Sequence, residues 1–201
     1  MAKNLRLPPL PTQERARLTE ELILSRGTDT SRWSRPESLA TQWDARAAMA
    51  ASWIPAQSRV LDVGAGAMAL EACLQAGCTY QPADVVARRA GCFVVDLNRR
   101  QFPPGSYDCV TFLGVLEYVH DVDWPLARAR EAAPQMILTY CTHVGAEVLT
   151  RRGMGWVNDL TAAELEAVLA RSGWTVDRRH EVKRGPTNIQ LMYGCSSAGK
   201  P

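Results

Sequence analysis

The stretch Arg59-Val60-Leu61-Asp62-Val63-Gly64-Ala65-Gly66 decides how the rest of the chain is read. Val60 to Val63 is a short apolar run of the kind buried on both faces of a sheet, and it stops abruptly at glycine. The alanine-rich segment 67–76 predicts a helix, ended by Gly77. Strand, tight turn and helix in that order open a parallel sheet, in which ligands bind beyond the carboxyl ends of the strands. Gly64 and Gly66 let backbone amides approach such a ligand, with the start of a helix behind them. A glycine pair alone says little, since most glycines serve only the turn. Gly64-x-Gly66-x-x-Ala69 also satisfies the dinucleotide fingerprint.

The flanks extend the pattern. Strands are predicted at 79–85, 92–97, 107–113 and 136–140, and a helix over 124–132, opened by Asp123 with Pro125 in its first turn. Thr161 and Glu164 have the spacing of a capping box, starting a helix that ends near Gly173. Segments 174–182 and 187–195 read as strands parted by Lys183-Arg184-Gly185-Pro186, an antiparallel hairpin at one sheet edge. Upstream, Leu18, Leu22 and Ile23 mark a helix over 14–25, capped by a left-handed Gly27. Leu39, Trp43, Ala47, Ala50 and Ile54 share one face of a second helix. The expected fold is α/β: a Rossmann-like, doubly wound, mostly parallel sheet with an antiparallel C-terminal hairpin, preceded by N-terminal helices. Residues 1–35 are expected to form an N-terminal extension with one helix, and 36–201 the main domain.

Composition excludes several classes. With 201 residues, 46% hydrophobic and 22% charged, the chain is neither disordered nor fibrous, and one core is expected. Lys and Arg number 23 against 21 Asp and Glu, a net charge of +2 that is too small for bulk attraction to phosphate, so no nucleic-acid partner is expected. The six cysteines include no C-x-x-C pair and mostly lie in apolar runs, so they are expected as reduced thiols without a metal. No run approaches the ~18 apolar residues of a membrane span, and the proline-rich start lacks the apolar segment of a signal peptide. A cytoplasmic location is expected.

Asp62 precedes Gly64 by two residues and is expected to face the crevice; Asp84 ends the next predicted strand, and Asp96 falls at the end of the one after. One strand-end aspartate is commonly a turn former. Three in succession suit a ligand with a cationic centre, a ribose whose hydroxyls donate to one carboxylate, and an adenine amine donating to another.

Val60 to Gly66, Asp84, Asp96-Leu97 and the run from Ser106 to His120 resemble the successive motifs of class I S-adenosylmethionine (SAM)-dependent methyltransferases of the type 11-like kind, over residues 43–195. The resemblance implies SAM as cofactor. It places Gly64, Ala65 and Gly66 under the methionine part, Asp84 on the ribose with Val85 beside it, and Asp96 and Leu97 at the adenine. Leu113, Gly114 and Val115 then line the methyl-donor pocket. It also implies methyl transfer to a small-molecule acceptor. Gly155-Trp156-Val157-Asn158 and the short link from Asp84 to Asp96 resemble methyltransferases of polysaccharide synthesis, which would make that acceptor a sugar or polysaccharide precursor. Two departures stand out. Ala67 and Met68 occupy the place of the motif's third glycine, and twelve residues from Asp84 to Asp96 leave room for little more than one helical turn. The sheet face there is bare unless the N-terminal helices or a second subunit, as in a homodimer, cover it.

Methyl transfer from a sulfonium is an in-line displacement that needs a base only when the acceptor holds its proton tightly. His120 and His143 follow the fourth and fifth strands and are the candidates for that base. His120 equally suits a cap before Asp121, His143 a packing role, and His180 the surface. Trp156 and Asn158 suit either a lid over the acceptor or the core. The arginine pairs 88/89, 99/100, 151/152 and 178/179 suit solvated faces, or an anionic acceptor where they follow strand ends. Two other functions remain open. An NAD-dependent oxidoreductase fits the glycine fingerprint, against which stand Asp62, the hairpin tail and the chain length. A non-catalytic module binding SAM or a partner protein fits the altered turn and short crossover.

Overall fold

A computed structural model describes residues 10–39, 44–145, 148–185 and 188–197; the expectations for Trp43 and Thr187 lie outside these. Seven strands form one sheet: β1 (Arg59–Val63), β2 (Thr79–Asp84), β3 (Phe93–Val94), β4 (Cys109–Leu113), β5 (Gln135–His143), β6 (Trp174–Arg184) and β7 (Asn188–Ser197). Their order is β3-β2-β1-β4-β5-β7-β6. The first five are parallel, and β7 runs antiparallel to both neighbours. Chain direction across the sheet reverses between β1 and β4, which opens a crevice at their carboxyl ends.

Alternate residues of each strand feed two cores. Leu61, Val110, Phe112, Met136 and Leu138 pack under α4 (Asp123–Ala132) and α6 (Ala162–Arg171), which contribute Leu126, Leu165 and Leu169. Each of these three leucines is fully buried and stabilises the fold by about 1.5–3 kcal/mol. Val60, Cys109, Ile137 and Met192 point the other way, onto Ala47 and Ala50 of α3 (Asp44–Ala51). The capping box of α6 is present: the Glu164 amide donates to the Thr161 hydroxyl at 3.2 Å, and the Thr161 amide donates back to the Glu164 carboxylate at 2.8 Å.

Several sequence expectations are corrected. Segment 67–76 is not an α-helix; it holds only a 3-10 turn at Glu71–Cys73. Gly66 and Met68 both adopt left-handed φ, +52° and +59°, which breaks the run of right-handed residues a helix needs to nucleate. The link 85–92 carries no helical turn either. With both crossovers reduced, the β3 edge is thinly covered, and Val94 is 61% exposed. A four-residue α2 (Thr30–Trp33) and a 3-10 turn at Pro36–Ser38 precede α3, and Leu39 and Ile54, expected on one face of a single helix, both fall outside it. In α1 (Thr12–Ser25) the left-handed residue is Arg26, not Gly27, whose amide instead closes the turn onto the Leu22 carbonyl at 3.0 Å.

The N-terminal segment does not stand apart. α1 packs against α5 (Val148–Gly153), with Ala16 and Thr19 buried and the Thr19 hydroxyl donating to the Arg152 carbonyl at 2.8 Å. Among the described residues no helix is long and apolar enough to cross a membrane.

Candidate functional site

A cavity opens at the carboxyl ends of β1, β2 and β4, enclosing about 1030 Å³ of empty space with its mouth included. Asp62, Gly64, Ala65, Gly66, Asp84, Val85, Asp96, Leu97, Leu113 and Gly114, the residues singled out from the sequence, all line it. Thr28, Trp33 and Leu39 of the N-terminal segment roof it, joined by Arg46 of α3 and Tyr118 of the loop after β4.

The glycine turn is fixed from behind. The amides of Gly64 and Ala65 both donate to the Ala83 carbonyl, at 2.7 and 3.1 Å. Gly64 has φ +77°, and a Cβ on it would meet Val115 Cγ2 at 2.3 Å, so glycine is required twice over. The Gly66 amide donates to Asp84 Oδ2 at 2.8 Å. No helix follows, so the approach to a ligand is made by turn backbone without a helix dipole.

Each carboxylate is already engaged. Asp62 lines the cavity but is only 3% exposed; Thr111 and Tyr80 donate their hydroxyls to its two oxygens at 2.6 and 2.7 Å. Burial raises its pKa, and those two hydrogen bonds oppose the rise. Asp84 accepts from Gly66 and, at 3.3 Å, from the Val86 amide, and it faces Arg88 at 3.2 Å. Arg88 in turn donates to the Trp33 carbonyl. Asp96 accepts from the Thr28 hydroxyl at 2.7 Å and the Asn98 amide at 3.0 Å.

Solved structures with this architecture are numerous, although no protein-family model and no curated protein matches the sequence. A Burkholderia thailandensis 1,6-didemethyltoxoflavin-N1-methyltransferase, solved with 1,6-didemethyltoxoflavin and S-adenosylhomocysteine, is similar at a TM-score of 0.62 and 18% identity, over 97% of this chain and 94% of that one. Magnesium protoporphyrin IX methyltransferase from Synechocystis PCC 6803, with S-adenosylhomocysteine bound, gives 0.61 and 18% over 89% and 100%. The N-methyltransferase NodS from Bradyrhizobium japonicum gives 0.60 and 14% over 79% and 87%. The chain has the class I methyltransferase fold. Within that fold its roof and its histidines are placed in ways the sequence did not disclose.

Neither candidate base lines the cavity. His120 Nε2 lies 3.0 Å from the Gly27 carbonyl, and its amide donates to Asn98 Oδ1 at 2.9 Å, so it straps the N-terminal segment to the loop after β4. His143 ends β5 opposite Asn188; its amide donates to the Leu160 carbonyl at 2.9 Å, and its buried Nε2 takes no hydrogen bond among the described residues. His180 is exposed on β6. Trp156 is buried beneath Arg151, whose guanidinium carbon lies 4.8 Å from the ring centre. Asn158 braces the loop after β4 by donating to the carbonyls of Leu116 and Val119, each at 2.7 Å. Neither side chain reaches the cavity.

Arg151 corrects the expectation of a solvated arginine pair. It is fully buried, donating to Asp159 at 2.6 Å and to the carbonyls of Cys141 and Asn158 at 3.0 and 3.1 Å. Thr28, Trp33, Arg46 and Tyr118 were missed as site residues. Tyr118 lay inside the quoted motif; Thr28 and Trp33 sat in a polar stretch that reads as a linker, and nothing local marks Arg46.

Proposed function

We propose that this chain is a SAM-dependent methyltransferase acting on a small-molecule acceptor. The observation that carries this is the meeting of Asp62, Asp84 and Asp96 with the Gly64–Gly66 turn around one cavity, in a fold whose solved examples hold S-adenosylhomocysteine. The residues fit such a donor. Asp84 accepts from the ribose hydroxyls, Val85 and Leu97 flank the adenine, and Asp96 stands at its amine. The Gly64–Gly66 backbone passes beneath the amino-acid part, with the negative charge of Asp62 close to the ammonium.

When bound, SAM supplies a methyl group on a positively charged sulfur, which keeps the bonding pair as the methyl passes to a lone pair of the acceptor. Trp33, Leu39 and Tyr118 exclude water from the cavity and narrow the approach to it. No side chain is assigned as base, because His120 and His143 lie outside the cavity; catalysis is by positioning. The roof is apolar and aromatic, with Trp33 and Tyr118 edge to face at 4.9 Å. That favours an acceptor with an apolar, planar body over the sugar precursor suggested by resemblance.

Calorimetry with S-adenosylhomocysteine and with NAD, followed by methyl transfer from labelled SAM to a panel of phenols and nitrogen heterocycles, tests the proposal. Binding of the thioether but not of NAD, with label transferred, is the expected result. Tight binding with no transfer to any acceptor would favour the non-catalytic module, and preference for NAD would overturn the donor assignment.

A further inference from the structure

Asn98, in the 3-10 turn Leu97–Arg99 after β3, lines the cavity and engages both donors and the acceptor of its side-chain amide. Nδ2 donates to the Thr28 hydroxyl at 2.9 Å and to the Tyr118 carbonyl at 3.0 Å, while Oδ1 accepts from the His120 amide at 2.9 Å. Its backbone amide donates to Asp96 Oδ1 at 3.0 Å, the same oxygen that accepts from Thr28 at 2.7 Å. The segments carrying Thr28 and Tyr118 meet again where Tyr118 packs edge to face on Trp33. One side chain thus ties the N-terminal roof and the loop after β4 to Asp96.

Asp96 divides its oxygens between two tasks. Oδ1 is taken by Thr28 and Asn98, whereas Oδ2 takes no hydrogen bond among the described residues and faces the exposed Arg99 guanidinium at 3.6 Å. A ligand amine donating to Oδ2 stops the carboxylate from turning, which holds Oδ1 in place for Thr28. Order supplied by one contact need not be supplied again by the next, and the benefit is reciprocal. We infer that Asn98 is a positioning residue that couples the adenine end of the donor to the aromatic roof, so that a bound donor fixes Trp33 and Tyr118 in place for the acceptor. The inference rests on the donor proposal above, which puts the adenine amine at Asp96, and adds an order of binding, donor before acceptor.

Amide hydrogen exchange over residues 27–39, read by mass spectrometry on the full chain, tests this with S-adenosylhomocysteine and with S-inosylhomocysteine, which carries a carbonyl oxygen where adenine has its amine. At saturation the first should slow exchange there by about fivefold or more and the second by less than about twofold. In Thr28→Val, and in Asn98→Ala shown to be folded by circular dichroism, the slowing by S-adenosylhomocysteine should disappear, and its affinity should weaken by the same factor. Thr28→Val cuts only the arm to the roof and decides the matter if Asn98→Ala does not fold. A side chain that merely supports the fold would, when removed, speed exchange equally with and without ligand and leave their ratio as it was. That result, or equal slowing by the two ligands, would overturn the coupling and leave the donor proposal standing. Failure of the unaltered protein to bind S-adenosylhomocysteine would overturn the donor proposal itself.

Discussion

Thr28 donates its hydroxyl to Asp96 at 2.7 Å across 68 residues of sequence, and the same hydroxyl accepts from Asn98 Nδ2 at 2.9 Å. Asp84 is tied to the same N-terminal segment through Arg88 and the Trp33 carbonyl. Asp84, the last residue of β2, and Asp96, which lies two residues beyond the short β3 and not at the end of the strand expected over 92–97, therefore hold the roof of the cavity as well as its floor.

Asp84→Asn keeps the shape of the side chain and removes the charge that orders Arg88. It is expected to weaken S-adenosylhomocysteine by about 1.5–3 kcal/mol, the value of a charged hydrogen-bonding group. Calorimetry on the folded variant checks this; an affinity equal to that of the unaltered protein would remove Asp84 from the donor site.

Gly64 and Gly66 should separate stability from binding. Gly64→Ala places a methyl 2.3 Å from Val115 and should lower the melting temperature sharply, beyond the roughly 1–2 kcal/mol of left-handed strain alone. Gly66→Ala carries that strain too, but its Cβ meets nothing nearer than Leu39 at 3.7 Å. It should fold with a modest loss and show its main effect on ligand affinity. Melting curves and calorimetry on both variants decide; equal melting temperatures would contradict the packing at Val115.

The histidines offer a third check. His143→Leu should keep at least half of the turnover per folded molecule, since the imidazole does not line the cavity. His120→Ala should lower stability by about 1 kcal/mol through loss of the bond to Gly27, again with turnover largely kept. A folded His143→Leu with turnover reduced a hundredfold would restore that residue as a base.

The first motif and its carboxylates were legible because their chemistry is local: an apolar run, a turn that demands glycine, an acid at each strand end. The roof was not, because Thr28 and Trp33 acquire meaning only when distant parts of the chain meet. Alanine content over 67–76 misled for a related reason. Intrinsic helix preference is worth only tenths of a kcal/mol per residue, and the geometry imposed at Gly66 and Met68 outweighs it. Arg151 looked like half of a solvated pair since sequence shows its charge but not Asp159 waiting beside it.

Acid stability should report on that last pair. Partial burial would raise the Asp159 carboxyl, but hydrogen bonds from Arg152 and Arg151 outweigh it and hold its pKa below the ordinary aspartate value. The folded carboxyl thus binds a proton less readily than the unfolded one. Its stabilisation is complete above the ordinary pKa of about 4 and is lost as pH falls below that toward the folded value. Asp159→Asn should cost up to about 3 kcal/mol near neutral pH, because the buried Arg151 loses the carboxylate it donates to and shares with Arg152, and the gap from the unaltered protein should close in acid. Denaturant melts at several pH values would show a constant gap if the carboxylate had no such role.

The strand order has a consequence for how the molecule is made. β7 follows β6 in the chain yet is inserted between β5 and β6. While a ribosome is still adding residues 188–197, β5 has an open backbone edge along Gln135–His143, eight of whose nine side chains are destined for the interior or nearly so. Such an edge is a ready template for pairing with another nascent chain. Residues 188–197 therefore close an edge that would otherwise stay open to other chains, so β7 guards against aggregation as well as building the fold.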